Sequence, residues 1–425
     1  MSPQDPPRSR IRSTVRRVAV DVSPLRVSGD FRWIWFGLLV SQFGYQFTLV
    51  ASFVQVFRLT DSAAAVGLIG LVGLLSLVIG TLAGSTFLDA VDRRKVLITS
   101  QVAFMAASGL LLTGAIHGDP PVGLVYAAVA IIAGVSAIDS PTRSAITPRL
   151  VGAELLPSAL ALNQVVYNST ALVGPAIAGL VIQRYGLAWA YGIDVVSYVA
   201  MLAAAVRIHP SPPENAEGAT TGWAAVREGF AFLKGRRVLQ STFWIDIVAM
   251  VFGMPRALFP ILALSQFHRG EGVVGLLFAA PAIGALLGAL TTGWVKHVKH
   301  QGRAVIWAVV VWGAGIAAFG VVGSNLWLGL LFLALAGAAD VISAVFRTTI
   351  LQLSAPDSMR GRLSSIHILV VTGGPRLGDF EAGLVAQVFS PWASVVSGGL
   401  LCIAGVGLVA WIYPELRRYH AGDPG

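Results

Sequence analysis

The chain has 425 residues, 55% of them hydrophobic and only 12% charged, with a mean hydropathy of +0.74. Soluble domains carry about 25% charged residues, so this composition points away from a soluble globular protein and toward a polytopic membrane protein. The single cysteine, Cys402, rules out an intramolecular disulfide framework and a cysteine metal cage; within GGLLCIAG it is a small buried hydrophobe.

Residues 1–30 are basic and Pro-containing and lack an apolar core of about 7–15 residues, so a disordered cytoplasmic tail is expected rather than a cleaved signal peptide. Beyond it, apolar segments long enough for helical spans of about 20 residues fall at 31–57, 63–88, 95–116, 121–139, 156–182 and 188–208, then at 238–263, 271–293, 303–322, 325–346, 362–388 and 391–413. These twelve predicted spans define an all-α membrane protein with two six-helix bundles, 31–208 and 238–413. Between the bundles, residues 209–237 open with the polar, Pro-rich HPSPPENAEGATTG, a linker. They continue with WAAVREGFAFLKGRR, where Trp223, Val226, Phe230 and Leu233 share one helical face. A short amphipathic helix on the inner membrane surface is expected there, and residues 414–425 form a second cytoplasmic tail.

The net charge of +9 could suggest nucleic acid, but its placement gives another cause. With the N-terminus in the cytoplasm, 25 of the 30 Lys and Arg residues fall in tails and inner loops, and only Arg58, Arg184 and Arg269 fall outside. That is a positive-inside pattern, which requires no nucleic-acid partner and puts both termini in the cytoplasm. The halves also echo each other: a shift of 204 residues carries Arg143 onto Arg347, Gly174 onto Gly378, Gly179 onto Gly383 and Gln183 onto Gln387. Parallel halves of six spans are the architecture of many secondary transporters.

Ionisable residues inside spans are functional candidates. Asp246 lies about eight residues into span seven, and Arg256 follows ten residues later, about 15 Å along a helix and too far for a direct pair. Asp194 lies in the outer half of span six. Span eleven holds Arg376, Asp379 and Glu381 within GPRLGDFEAG. Arg376 and Asp379 stand three residues apart on one face and are expected to pair, leaving Glu381 the freer group. Gln42, Gln46, Asn163 and Asn168 are either cavity polar groups or helix–helix hydrogen bonds.

The phrases GSTFLDAVDRRKV, AIDSPTRSAITPRLVGAELLPSALALN, LVGPAIAG, FGMPRALFP, APDSMRGRLSS and TGGPRLGDFEAG resemble the major facilitator superfamily over about residues 28–418. More narrowly, they look like the branch that holds the enterobactin exporter and related drug exporters. In that fold, spans one, four, seven and ten line a central cavity, which makes Asp246 the best-placed carboxylate for proton coupling. Arg376, Asp379 and Glu381 are further coupling candidates. Asp89, Arg93 and Arg94 match the family's inner-loop motif, from which Ser85, Ala90 and Asp92 depart. The resemblance implies a latch closed only in the outward-facing state, with Asp89 at the N-terminus of span eleven and Arg93 paired to Asp89 and Asp139. The alternative is a positive-inside anchor. Gly174, Pro175 and Gly179 resemble the glycine–proline motif of exporters, with Ala178 in place of a usual glycine. Close packing is the other reading, and Gly374, Pro375, Gly378 and Gly383 are bending and packing positions of the same kind.

The resemblance implies a proton-coupled, alternating-access exporter of a small amphipathic compound, a siderophore or drug, in the cytoplasmic (inner) membrane. It would work as a monomer with no cofactor. A nutrient facilitator or importer, a lipid flippase, or a non-transporting receptor or scaffold are the alternatives. The sequence has no Gly-x-Ser-x-Gly elbow, P-loop or HExxH motif that would suggest an enzyme.

Overall fold

A computed structural model of the chain describes residues 21–87, 91–118, 120–209, 227–228 and 231–420, and these residues form helices and no strands. Long helices are what the composition demands, since a lipid-embedded backbone must satisfy its polar groups internally. Polar caps set several of the helix ends. Ser28 Oγ accepts from Phe31 N at 3.1 Å, Asn325 Oδ1 from Leu328 N at 3.2 Å, and Ser390 Oγ from Ala393 N at 3.0 Å.

Ten described helices are long and apolar enough to cross a membrane. The N-terminal half comprises span one (Gly29–Thr60), span two (Ala63–Phe87), span three (Arg93–Ile116), the long helix Val122–Tyr185 and span six (Leu187–Arg207). Val122–Tyr185 contains spans four and five, joined at Gly152, whose φ of 74° is open to glycine. The polar loop expected at 140–155 is therefore helical on both sides of that one residue. The C-terminal half comprises span seven (Arg237–Phe252, resuming at Arg256), span eight (Glu271–Leu290), span nine (Gln301–Val321), span ten (Leu326–Ser354), span eleven (Asp357–Val388) and span twelve (Pro391–Ile412). Spans ten and eleven extend beyond their expected limits because their polar ends continue the helix instead of forming a loop.

Both stretches expected to be tails contain an ordered turn next to the bundles. Ser23–Val27 is a helical turn whose Leu25 packs with Phe31, Ala159 and Leu162, and Asp21 accepts from Ser158 Oγ at 2.9 Å. Pro414–Arg418 is a second such turn, with Leu416 buried. Of the amphipathic helix, Leu233 is buried with Leu239, Phe243 and Leu363, while Trp223, Val226 and Phe230 lie outside the described residues.

Burial follows a lipid-facing pattern. Large apolar side chains such as Leu180, Leu290, Trp327, Val388 and Trp411 stand exposed around the outside, as a bilayer requires. Inside, the halves meet along span five against span eight and span two against span eleven. A Cβ on Gly275 would stand 2.2 Å from the Pro175 carbonyl oxygen, and one on Gly67 would stand 2.6 Å from that of Asp379. Pro175 and Asp379 are 204 residues apart, so the duplication read from four matched residues reappears as matched helix crossings.

The same symmetry shows which face is closed. Pro175 and Gly179 of span five, and Asp379 and Gly383 of span eleven, are buried in the crossings. Follow those helix faces toward the end that carries the termini and they become exposed, at Gln164 and Asn168 in span five and at Ile368 and Thr372 in span eleven. On the face away from the termini, Arg58 pairs with Glu271, Ser62 Oγ donates to Gln387 Oε1 at 2.8 Å, and Gly272 N donates to Gln183 Oε1 at 3.0 Å. The halves are closed together on that face and parted toward the termini.

Candidate substrate cavity

A cavity of about 530 Å³ lies between the halves. Aromatic and aliphatic residues form most of its wall, among them Tyr45, Phe53, Phe259, Phe278 and Trp312; its polar groups include Gln46, Arg256, Asp340, Arg376 and Asp379. Of the polar candidates, Gln46 and Arg256 line this cavity. Gln42, Asn163 and Asn168 stand apart from it, and Asn168 Oδ1 instead accepts from Gln164 Nε2 at 2.9 Å. A second, almost wholly apolar groove of about 830 Å³ lies between spans one, three and six, lined by Phe43, Leu112 and Trp189. The central cavity is the candidate site because ionisable groups converge there and both halves contribute to it.

Arg256 and Asp379 are placed there by a broken helix. Span seven stops at Phe252, crosses Gly253 and Pro255, and resumes with a 3₁₀ turn at Arg256. The break leaves backbone groups that need partners. Trp312 Nε1 donates to Gly253 O at 2.9 Å, and Ala257 N donates to Asp379 Oδ1 at 3.2 Å. The other Asp379 oxygen accepts from Arg256 Nη2 at 2.8 Å. Asp379 thus caps the restart of span seven and neutralises Arg256. The pairing expected between Arg376 and Asp379 is not found. Arg376 instead crosses to the N-terminal half, where its Nη1 donates to Gly73 O at 2.6 Å, and no carboxylate among the described residues forms an ion pair with it. No hydrogen bond or ion pair among the described residues involves Glu381.

Asp246 is buried, but its partner is neither Arg256 nor Arg376. Arg347 Nη1 lies 2.6 Å from Asp246 Oδ1, and His367 Nδ1 lies 3.6 Å from Asp246 Oδ2. Asp340 completes the group, 3.7 Å from Arg347 Nη2. Sequence reasoning assigned Arg347 to an inner loop and passed over Asp340 and His367. The sequence signals all three: Asp340 and His367 fall inside the expected spans, and Arg347 is the repeat partner of Arg143.

Asp139 pairs with Arg143 at 2.7 Å and accepts from Gln101 Nε2 at 3.0 Å, so it does not hold Arg93. Arg93 Nη1 donates to Ala145 O at 3.2 Å, and Arg94 to Ala205 O at 3.2 Å and to Val206 O. Arg94 thus closes carbonyls in the last turn of span six, where cations are favoured, while Arg93 reaches a carbonyl within the long helix. Asp89 lies outside the described residues. Asp194, deep in the N-terminal half, accepts from Thr48 Oγ1 at 2.5 Å and Ser108 Oγ at 2.7 Å, tying spans one, three and six together. Gly174 approaches the Gln46 side chain, while Gly374 and Gly378 approach Met250 and Val251 beside the break in span seven.

Comparison with known proteins agrees with this architecture. The model of the family described as transmembrane secretion effector matches residues 19–422. The enterobactin exporter of Citrobacter koseri is 27% identical over 413 residues, covering 95% of this chain and 97% of that protein. The enterobactin exporter of Salmonella typhi is 26% identical over the same length and coverage. Among solved structures, the nucleoside transporter NupG superposes with a TM-score of 0.70 at 13% identity, covering 92% of this chain and 100% of that one. A POT family transporter in complex with 5-aminolevulinic acid gives a TM-score of 0.70 at 12% identity, covering 92% and 97%. The chain belongs to the transmembrane secretion effector family, efflux transporters of the major facilitator fold.

Proposed function

We propose that the chain exports a small amphipathic compound carrying an acidic group, a siderophore of the kind named for its relatives, across the cytoplasmic membrane in exchange for protons. The observation that carries this reading is the charge in the central cavity. Arg256 is matched by Asp379, whereas Arg376 is a half-buried guanidinium on the cavity wall whose hydrogen bond goes to a carbonyl and which forms no ion pair among the described residues. A guanidinium drawn partly out of water without a counter-charge is costly, and an acidic substrate would offset it. The surrounding aromatic wall suits an apolar body.

Alternating access supplies the movement. With the termini on the cytoplasmic side, the parted end faces the cytoplasm and the clamped end faces outward. Cargo enters from the cytoplasm, reaches Arg376 and leaves after the crossings of spans two with eleven and five with eight have opened. The latch proposed around Asp89, Arg93 and Arg94 would act in that other state, holding the cytoplasmic ends together.

A strain lacking the gene tests the export reading. Complementation with the intact chain should restore secretion of an acidic amphipathic siderophore into the medium. The Arg376→Gln chain should be made in equal amount and restore less than a tenth as much. Equal secretion by both chains, or none by either, would contradict the proposal.

A further inference from the structure

Arg347 is nearly inaccessible, with 3% side-chain exposure, and it collects acids from two spans. Asp246 comes from span seven, and Asp340 lies seven residues earlier on span ten itself. His367 of span eleven approaches the far oxygen of Asp246. Two carboxylates against one guanidinium leave one negative charge over while His367 is neutral. Inside a membrane protein such an excess is expensive, and a single proton removes it.

Three further atoms show that the cluster is only partly satisfied. Asp340 Oδ1, Ser343 Oγ and Arg347 Nε are buried without a hydrogen-bond partner. Buried polar atoms are seldom left so, and rotation of the guanidinium toward Asp340 would bring partners to them. The cluster also has two accessible ends. The Asp340 side chain is 25% exposed and lines the central cavity, while that of His367 is 28% exposed. Asp246 and Arg347 form the closed stretch between them.

The N-terminal half contains the frame without the excess charge. The 204-residue shift carries Arg347 onto Arg143, Asp246 onto Gln42, His367 onto Asn163 and Asp340 onto Ser136. Arg143 there has its acid, Asp139, one turn away on its own helix. That pair is balanced and lies on one helix, and its acid is tied to span three through the neutral Gln101.

We propose that Asp246, Asp340, Arg347 and His367 form the proton-binding site of the C-terminal half, and that its occupancy decides whether span ten is tied to span seven. This rests on the reading of the chain as a proton-driven exporter. A proton on His367 Nδ1 passes to Asp246 Oδ2, forming the O–H bond as the N–H bond breaks. Asp246 becomes neutral, and Arg347 turns to Asp340 on its own helix. Span seven is then released from span ten. Among the described residues the other elements add no acid or base at this level, the one acid of span eight, Glu271, being paired with Arg58 at the opposite rim. Spans two and twelve carry no Asp, Glu, Lys, Arg or His, and Arg303 of span nine is exposed at its end. Glu415 pairs with Arg237 at the start of span seven, while Arg376, Asp379 and Glu381 lie farther along span eleven.

The test needs neither substrate nor gradient. Spin labels on Gln164→Cys and Ile368→Cys, in a Cys402→Ala background, report the separation of the termini-side ends in lipid nanodiscs. The ratio of parted to closed forms should change with pH, by up to about tenfold per pH unit for a one-proton site. His367→Gln and Asp246→Asn should each flatten that dependence, and Asp139→Asn should leave it. His367→Gln keeps the Asp246–Arg347 pair and so serves if Asp246→Asn fails to fold. A pH-independent ratio in the parent chain, or a dependence that survives His367→Gln, overturns the site. Titrating distances together with gradient-independent efflux would instead overturn proton-driven export and leave the site standing.

Discussion

Gly275 lies so close to Pro175 that an added Cβ would stand 2.2 Å from the proline's carbonyl oxygen. The repeat-related contact, Gly67 against Asp379, is nearly as tight at 2.6 Å. Together they close the face away from the termini. Gly275→Ala and Gly67→Ala should each destabilise this closed form by about 1–3 kcal/mol, the usual cost of overpacking. Distances between labels across that face would show it open more often; unchanged distances would mean the crossings give way freely.

Asp379 has a structural duty that its charge alone does not reveal. It caps the restart of span seven at Ala257 and neutralises Arg256. Asp379→Ala should cost about 1–3 kcal/mol, by leaving the buried Ala257 N–H without its acceptor and the half-buried Arg256 without its counter-charge. Replacing Arg256 by Met at the same time should recover part of that loss. Thermal unfolding of the purified single and double variants measures the coupling, and additive losses would disprove it.

Arg58 and Glu271 clamp the same closed face at its rim, with side-chain exposures of 42% and 16%. Pairs so exposed contribute about 0.2–1 kcal/mol. Glu271→Gln should therefore shift the balance of states by a few-fold at most, and raised salt should mimic it. A loss of folding in this variant would mean the pair bears more than its exposure allows.

Much of this molecule was legible before its structure. Span positions and bundle halves follow from apolar runs, which the bilayer makes nearly unambiguous. The repeat was visible through Gly179, Gly383, Gln183 and Gln387, and these residues do stand at the crossings and the closed rim. Charge partners were harder to read. Arg376 and Asp379 share a helix face, yet Asp379 serves a helix broken 120 residues earlier, and nothing in GPRLGDFEAG records that break. Arg347 was misplaced because span ten runs on to Ser354, so a residue taken for a loop cation lies inside the bundle. Gly152 hid a different error: a single residue with positive φ does the work expected of a sixteen-residue loop.

Transport in proteoliposomes that hold the intact chain in one orientation tests the central claim most directly. With an imposed pH gradient, an acidic amphipathic siderophore should move from the termini-side compartment to the other and accumulate there. It should stop accumulating when the gradient is collapsed, and Arg376→Gln should reduce the initial rate at least about tenfold, a loss of about 1.4 kcal/mol. Accumulation that persists without a gradient, or that is indifferent to Arg376, would contradict the account.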